Sequence, residues 1–79
     1  MHTHGGDDVR TIQRQLNRIS DVYSNINKIR VDGIFGENTE RAVKTFQETF
    51  NMTADGKVGL ATWYQISQVY VAIEKLAEL

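Results

Sequence analysis

The chain has no cysteine and no proline. The first absence excludes a disulfide framework and a thiolate metal cage, the usual staples of very small secreted domains, and leaves the compartment open. The second leaves helix-forming stretches without an obligatory break. Long apolar runs are missing as well. The longest, "VYVAI" from Val69 to Ile73, is far short of the roughly 20 residues a transmembrane helix needs, so no membrane span is expected. Nor does one sign of charge dominate. With 9 basic and 10 acidic residues the formal charge is −1, which supplies no sequence-independent pull on a phosphate backbone and argues against nucleic acid as a partner. The opening "MHTHGG" has no apolar h-region and is therefore not a signal peptide. Residues 1–6 read as a flexible leader, either a linker or a cloning remnant, and any export signal would lie outside this chain.

What is present is ordinary globular composition, 41% hydrophobic and 24% charged, rather than that of a disordered tail. At 79 residues the chain is one domain, close to the size at which a single core only just confers stability. A deep active site and the scaffold to hold it would not both fit.

From Asp7 onward the apolar residues Val9, Ile12, Leu16 and Ile19 recur at the spacing of one helix face. Asp7 and Asp8 suit its positive end, as caps or as charges on the dipole. Arg10, Arg14 and Arg18 fall nearly opposite that stripe and predict a basic outer face. Ser20 to Arg30, "SDVYSNINKIR", mixes turn formers with spaced apolar residues and reads as irregular. A second helix is predicted from about Glu37 to Phe50, burying Ala42, Val43, Phe46 and Phe50, with Asn51 as its end signal. A third is predicted from about Leu60 to Ala77, with Trp63, Ile66, Tyr70, Ile73 and Ala77 on one stripe and Val69 and Leu76 widening it. Its length would be about 27 Å, more than so small a bundle needs, so its distal half is free to meet something else. The fold class expected is all-α, a three-helix bundle.

Between these helices one turn occurs twice. "VDGIFGENT" at Val31 to Thr39 and "ADGKVGLAT" at Ala54 to Thr62 share D-G-x-[FV]-G-x-x-T, each leading straight into a helix. Asp-Gly is a turn dipeptide, the carboxylate accepting nearby amides and Gly taking positive φ. Phe35 or Val58 is expected to point inward as an anchor. The second Gly lets the chain swing into the helix, and Thr39 or Thr62 is placed to serve unpaired backbone groups in the first turn. A phosphate cradle would need the Lys-Ser/Thr of a P-loop after a parallel strand, and a calcium loop an acidic ladder ending in Glu. Neither copy has them.

In order, Val9, Ile12, Gln13, Leu16 and Asn17, then "VDGIFGENTERAVKTFQ" at Val31 to Gln47, then "ADGKVGLATW" at Ala54 to Trp63 resemble the peptidoglycan-binding domain family. This is the small three-helix module attached to bacterial cell-wall hydrolases, phage endolysins and spore cortex-lytic proteins. The likeness runs from about Asp8 to Ile66. Three features depart from the family pattern: a longer Ser20 to Arg30 connection, Glu37 and Leu60 where proline usually follows the second Gly, and a chain that continues beyond Ile66. The resemblance implies a peptidoglycan-binding-like domain over residues 7–79 with an extended C-terminal helix. It also implies a location outside the cell, in the wall or spore cortex, and a linked hydrolase.

Single residues point to no catalysis. His2 and His4 form an H-x-H pair without a third ligand, so no metal is expected. Glu37, Glu40 and Glu48 lack the facing lobe that glycosidic hydrolysis requires. No Ser-His or Cys-His arrangement exists, and no cofactor is implied. Gln13 and Gln47 follow Ile12 and Phe46 in equivalent contexts, as edge amides expected to bond backbone. Trp63 belongs to the core stripe, while Tyr64, one step round, could be exposed. A non-catalytic wall-binding module is the first reading, with a shallow groove formed by the turns and the helix starts. Its candidate ligand-binding residues are Asp32, Asn38, Arg41, Asp55, Trp63 and Tyr64. A second reading is an interaction or pro-domain module docking through Val69, Ile73, Leu76 and Leu79.

Overall fold

The structure is a computed structural model and describes residues 6–78. His2, His4, Leu79 and all of the predicted leader but Gly6 lie outside the described residues. Three helices follow one another: α1 at Gly6–Ser20, α2 at Glu37–Thr49 and α3 at Leu60–Ala77, with no strand among the described residues. The all-α three-helix reading holds. Gly6, assigned to the leader, instead forms the first residue of α1.

The helix stripes meet in one core of Ile12, Leu16, Ile19, Ala42, Val43, Phe46, Ile66 and Ile73, joined by Ile26 from the connection. Leu16, Ile19, Val43, Phe46 and Ile66 are all fully buried, and burying each such side chain is worth roughly 1.5–3 kcal/mol before entropy is charged against it. α1 packs against both other helices and more extensively against α3. Tyr23 and Phe50 add an edge-on ring pair at 5.1 Å, and Phe50 rests on Phe46 at 4.7 Å.

α2 ends as its last residues dictate. Asn51 adopts φ 59°, the left-handed conformation an Asn tolerates. This lets Asn51 N–H donate to Glu48 O at 3.3 Å and Met52 N–H to Gln47 O at 2.8 Å, the paired bonds of a Schellman stop. The Ser20 to Arg30 connection is irregular but pinned. The Asn17 side chain pairs with both backbone groups of Ile29, donating to its O and accepting from its N–H, each at 2.8 Å. Lys28 Nζ donates to Asn17 O at 3.1 Å and Ser20 Oγ at 2.8 Å, and also to Asp21 Oδ1.

The arginine row is not a uniform solvated face. Arg10 and Arg14 are exposed, but Arg18 Nε donates to Glu74 of α3 at 2.6 Å and Nη1 to Asp21 at 3.2 Å. Those two carboxylates, Glu74 first, raise the Arg18 pKa. On α3, Ile66 and Ile73 are buried and Trp63, Val69 and Tyr70 are partly so, whereas Leu76 is 68% exposed and does not widen the buried stripe. Leu76 borders a groove shared with Arg18 of α1 and with Val22 and Tyr23 of the connection.

Candidate functional site: a hollow walled by the first repeated turn

Each repeated turn is closed by a buried glutamine from the preceding helix. Gln13 of α1 shares its Nε2 hydrogens among Asp32 Oδ1, Ile34 O and Thr39 Oγ1, all at 3.0 Å. Its Oε1 accepts from the N–H groups of Asp32 at 3.0 Å and Gly33 at 2.9 Å. Gln47 of α2 repeats this on the second turn. Its Nε2 reaches Asp55 Oδ1 at 3.1 Å, Lys57 O at 3.0 Å and Thr62 Oγ1 at 3.1 Å, and its Oε1 accepts from Gly56 N–H at 2.9 Å. A primary amide suits this role because it carries two donors and an acceptor in one plane. The repeated unit is therefore helix glutamine, Asp-Gly turn and helix threonine.

Three expectations change at these turns. The threonine hydroxyls accept from the glutamine rather than serving the backbone of their own helix turn. The two glutamines bond side chains as well as backbone. Phe35 is not an inward anchor: it is 39% exposed, while its counterpart Val58 is half-buried against the core. The first glycine of each copy takes positive φ, 77° at Gly33 and 74° at Gly56. The second does not need to be glycine. Gly36 and Gly59 are extended, at φ −96° and −85°, and a Cβ there would meet nothing within 4 Å.

Asp32 and Asp55, two of the candidate ligand residues, are engaged in these turns. Oδ1 of Asp32 also accepts from Ile34 N–H at 2.9 Å, and Oδ1 of Asp55 from Lys57 N–H at 2.9 Å. Those backbone bonds, followed by the glutamine amides, hold both carboxyls below the usual carboxylate range.

Two adjoining hollows, of about 220 and 280 Å³, lie between the connection and the first turns of α2 and share Ile29 and Asn38. Asn27, Lys28, Asn38, Arg41 and Thr45 supply the polar lining of the smaller one. Arg30, Asp32, Glu37 and Asn38 line the larger. Of the candidate residues, Asp32, Asn38 and Arg41 are thus brought together. Asp55, Trp63 and Tyr64 are not among the lining. Trp63 is half-buried against the core and Tyr64 is 63% exposed on α3. Arg41 Nη2 approaches Glu37 at 3.4 Å, an exposed pair of little strength.

Asn27, Lys28 and Arg30 are lining residues that the sequence did not single out. Their signal was the long connection itself, whose wall is fixed by the bonds from Asn17 to Ile29. Among the described residues no group of three or more His, Cys, Asp or Glu could hold a metal ion. No described helix is long and apolar enough to cross a membrane.

The described residues thus form a bundle of three helices whose two repeated turns are locked by buried amides, with polar hollows beside the first turn. Comparison with protein families gives this arrangement a name: the family model described as "Putative peptidoglycan binding domain" matches residues 5–66. The chain belongs to that family, in line with the resemblance carried by the two turns. Neither the curated proteins nor the solved structures contain a match to it.

Proposed function

We propose that this chain is a non-catalytic module that holds a linked cell-wall hydrolase on peptidoglycan, outside the cell, by raising the enzyme's effective concentration at its substrate. The observation that carries the reading is the family match over both repeated turns, residues 5–66. The polar hollow at the first turn supports it as the place of contact, with Asn38 and Arg41 as the residues that meet ligand. Asp32 shapes the floor through its turn. Asp55 and Trp63 act through the fold, and Tyr64 contributes a second, aromatic contact on the neighbouring face. The non-catalytic reading is supported by the carboxylates themselves: Glu37, Glu40 and Glu48 are exposed on one helix with no opposing lobe among the described residues. Co-sedimentation with insoluble peptidoglycan tests the proposal. Retention in the pellet well above that of an unrelated helical protein of similar mass is expected, and equal retention overturns it.

A second reading, a protein-docking role for α3, is favoured by one observation. Past Ile66, where the family match ends, an apolar groove is lined by Val22, Tyr23, Val69, Ile73 and Leu76, with Val22 58% and Leu76 68% exposed. Sedimentation velocity of the full chain, alone and mixed with its linked enzyme, compared with Leu76→Glu, tests it. Identical monomeric behaviour of both proteins in both settings would remove this reading.

A further inference from the structure

Peptidoglycan offers a binding module two chemistries, the sugar rings of its strands and short peptides that carry free carboxylates and amide groups. The smaller hollow discriminates between them. Its polar lining consists of Asn27, Lys28, Asn38, Arg41 and Thr45 and includes no acidic residue. The Lys28 ammonium is turned to Asn17, Ser20 and Asp21, which leaves Arg41 as the cation that faces a ligand. Its bond to Glu37 is long, at 3.4 Å, with the two side chains 62% and 84% exposed, so an incoming carboxylate competes for the guanidinium and gains the stronger paired geometry. The side chains of Asn27 and Asn38 have no hydrogen-bond partner among the described residues. Each offers a donor and an acceptor in one plane, the complement of a peptide unit. Sugar rings, by contrast, are held largely by stacking on an aromatic face. No aromatic residue lines either hollow, and the exposed Tyr64 is not part of them.

We infer that the hollow between the connection and α2 takes a carboxylate-bearing stem peptide of peptidoglycan rather than the glycan, with the carboxylate on Arg41 and the peptide amides on Asn27 and Asn38. This rests on the wall-binding reading above. The larger hollow, where Asp32 and Glu37 join Arg30, has mixed charge and receives the remainder of the peptide. Copy one of the repeat carries the site and copy two does not, because only copy one is walled by the long connection that Asn17 pins at Ile29.

The test uses the full chain, isotope-labelled, with three probes: a synthetic stem tetrapeptide with free carboxylates, the same peptide with its carboxylates amidated, and peptide-free glycan strands. The free acid is expected to shift the side-chain amide resonances of Asn27 and Asn38, to bind about tenfold more tightly than the amidated peptide, and to lose that advantage in Arg41→Ala. Glycan strands should leave those resonances in place. Equal affinity for acid and amide, or glycan strands moving Asn27 and Asn38, overturns the peptide assignment while sedimentation with intact wall continues. Loss of sedimentation with intact wall removes the wall-binding reading and this inference together.

Discussion

At the scale of single residues, Gln13 and Gln47 hold more of the structure than their type suggests. Both are essentially fully buried, and no buried side-chain nitrogen or oxygen is left without a partner among the described residues. Truncating either glutamine strands donors and acceptors on a turn and on a threonine at once. Gln13→Ala and Gln47→Ala should each lower unfolding stability by about 2–4 kcal/mol, read from urea midpoints. Gln47→Glu should not restore it, since a carboxylate cannot donate to Asp55, Lys57 O and Thr62.

The aspartates of the same turns predict an acid dependence. Their folded pKa values lie below the ordinary 3.8. Asp21 is likewise depressed, chiefly by Lys28. A group with a depressed folded pKa stabilises the native state above its unfolded value, and that stability disappears as pH falls through the folded value. Urea midpoints should therefore decline below about pH 4. Asp32→Asn, which keeps the Oδ1 acceptor and drops the charge, should flatten the decline.

At the scale of elements, the two glycines of each turn separate into different roles that the repeated motif alone could not distinguish. Gly56 has positive φ, and a Cβ there would come within 2.7 Å of Glu40 Cγ. Gly56→Ala should cost about 1–3 kcal/mol in thermal or urea unfolding. Gly59 is the N-cap of α3 with no side-chain cap bond, so Gly59→Ser should stabilise by a few tenths of a kcal/mol. A pair of substitutions with opposite signs three residues apart is a direct check on the turn geometry. The helices themselves were legible in the chain because their apolar residues recur at helical spacing and their ends carry local signals such as Asn51. The greater exposure of Phe35, 39%, was not legible: its pattern matches Val58, and only the packing of the neighbouring elements left Phe35 the more open of the two.

At the scale of the whole molecule, the two turns sit at the N-terminal ends of α2 and α3, and the added Ser20 to Arg30 connection makes them unequal. The proposed contact is electrostatic in part, through exposed Arg41. Wall retention should therefore weaken between about 50 and 500 mM salt. Asn38→Ala and Arg41→Ala should each reduce retention with unchanged melting temperature, as measured by sedimentation and by circular dichroism. Leu76→Glu should leave wall retention as it is if α3 serves a separate partner.

The sequence by itself determined the three helices, their approximate extents and the family, because helical periodicity, turn chemistry and the repeated D-G-x-[FV]-G-x-x-T motif are local properties of consecutive residues. Tertiary structure alone decided which candidate residues lie together. Asn27 and Arg41 line one hollow and Arg30 and Asp32 the adjoining one, with Asn38 common to both, and the Asn17 amide, twelve positions before Ile29, ties the connection that walls them against the bundle. Likewise Gln13 reaches Asp32 across 19 positions and draws its carboxylate into the frame of the turn. Contacts at such separations depend on how the helices pack, and no window of consecutive residues contains them.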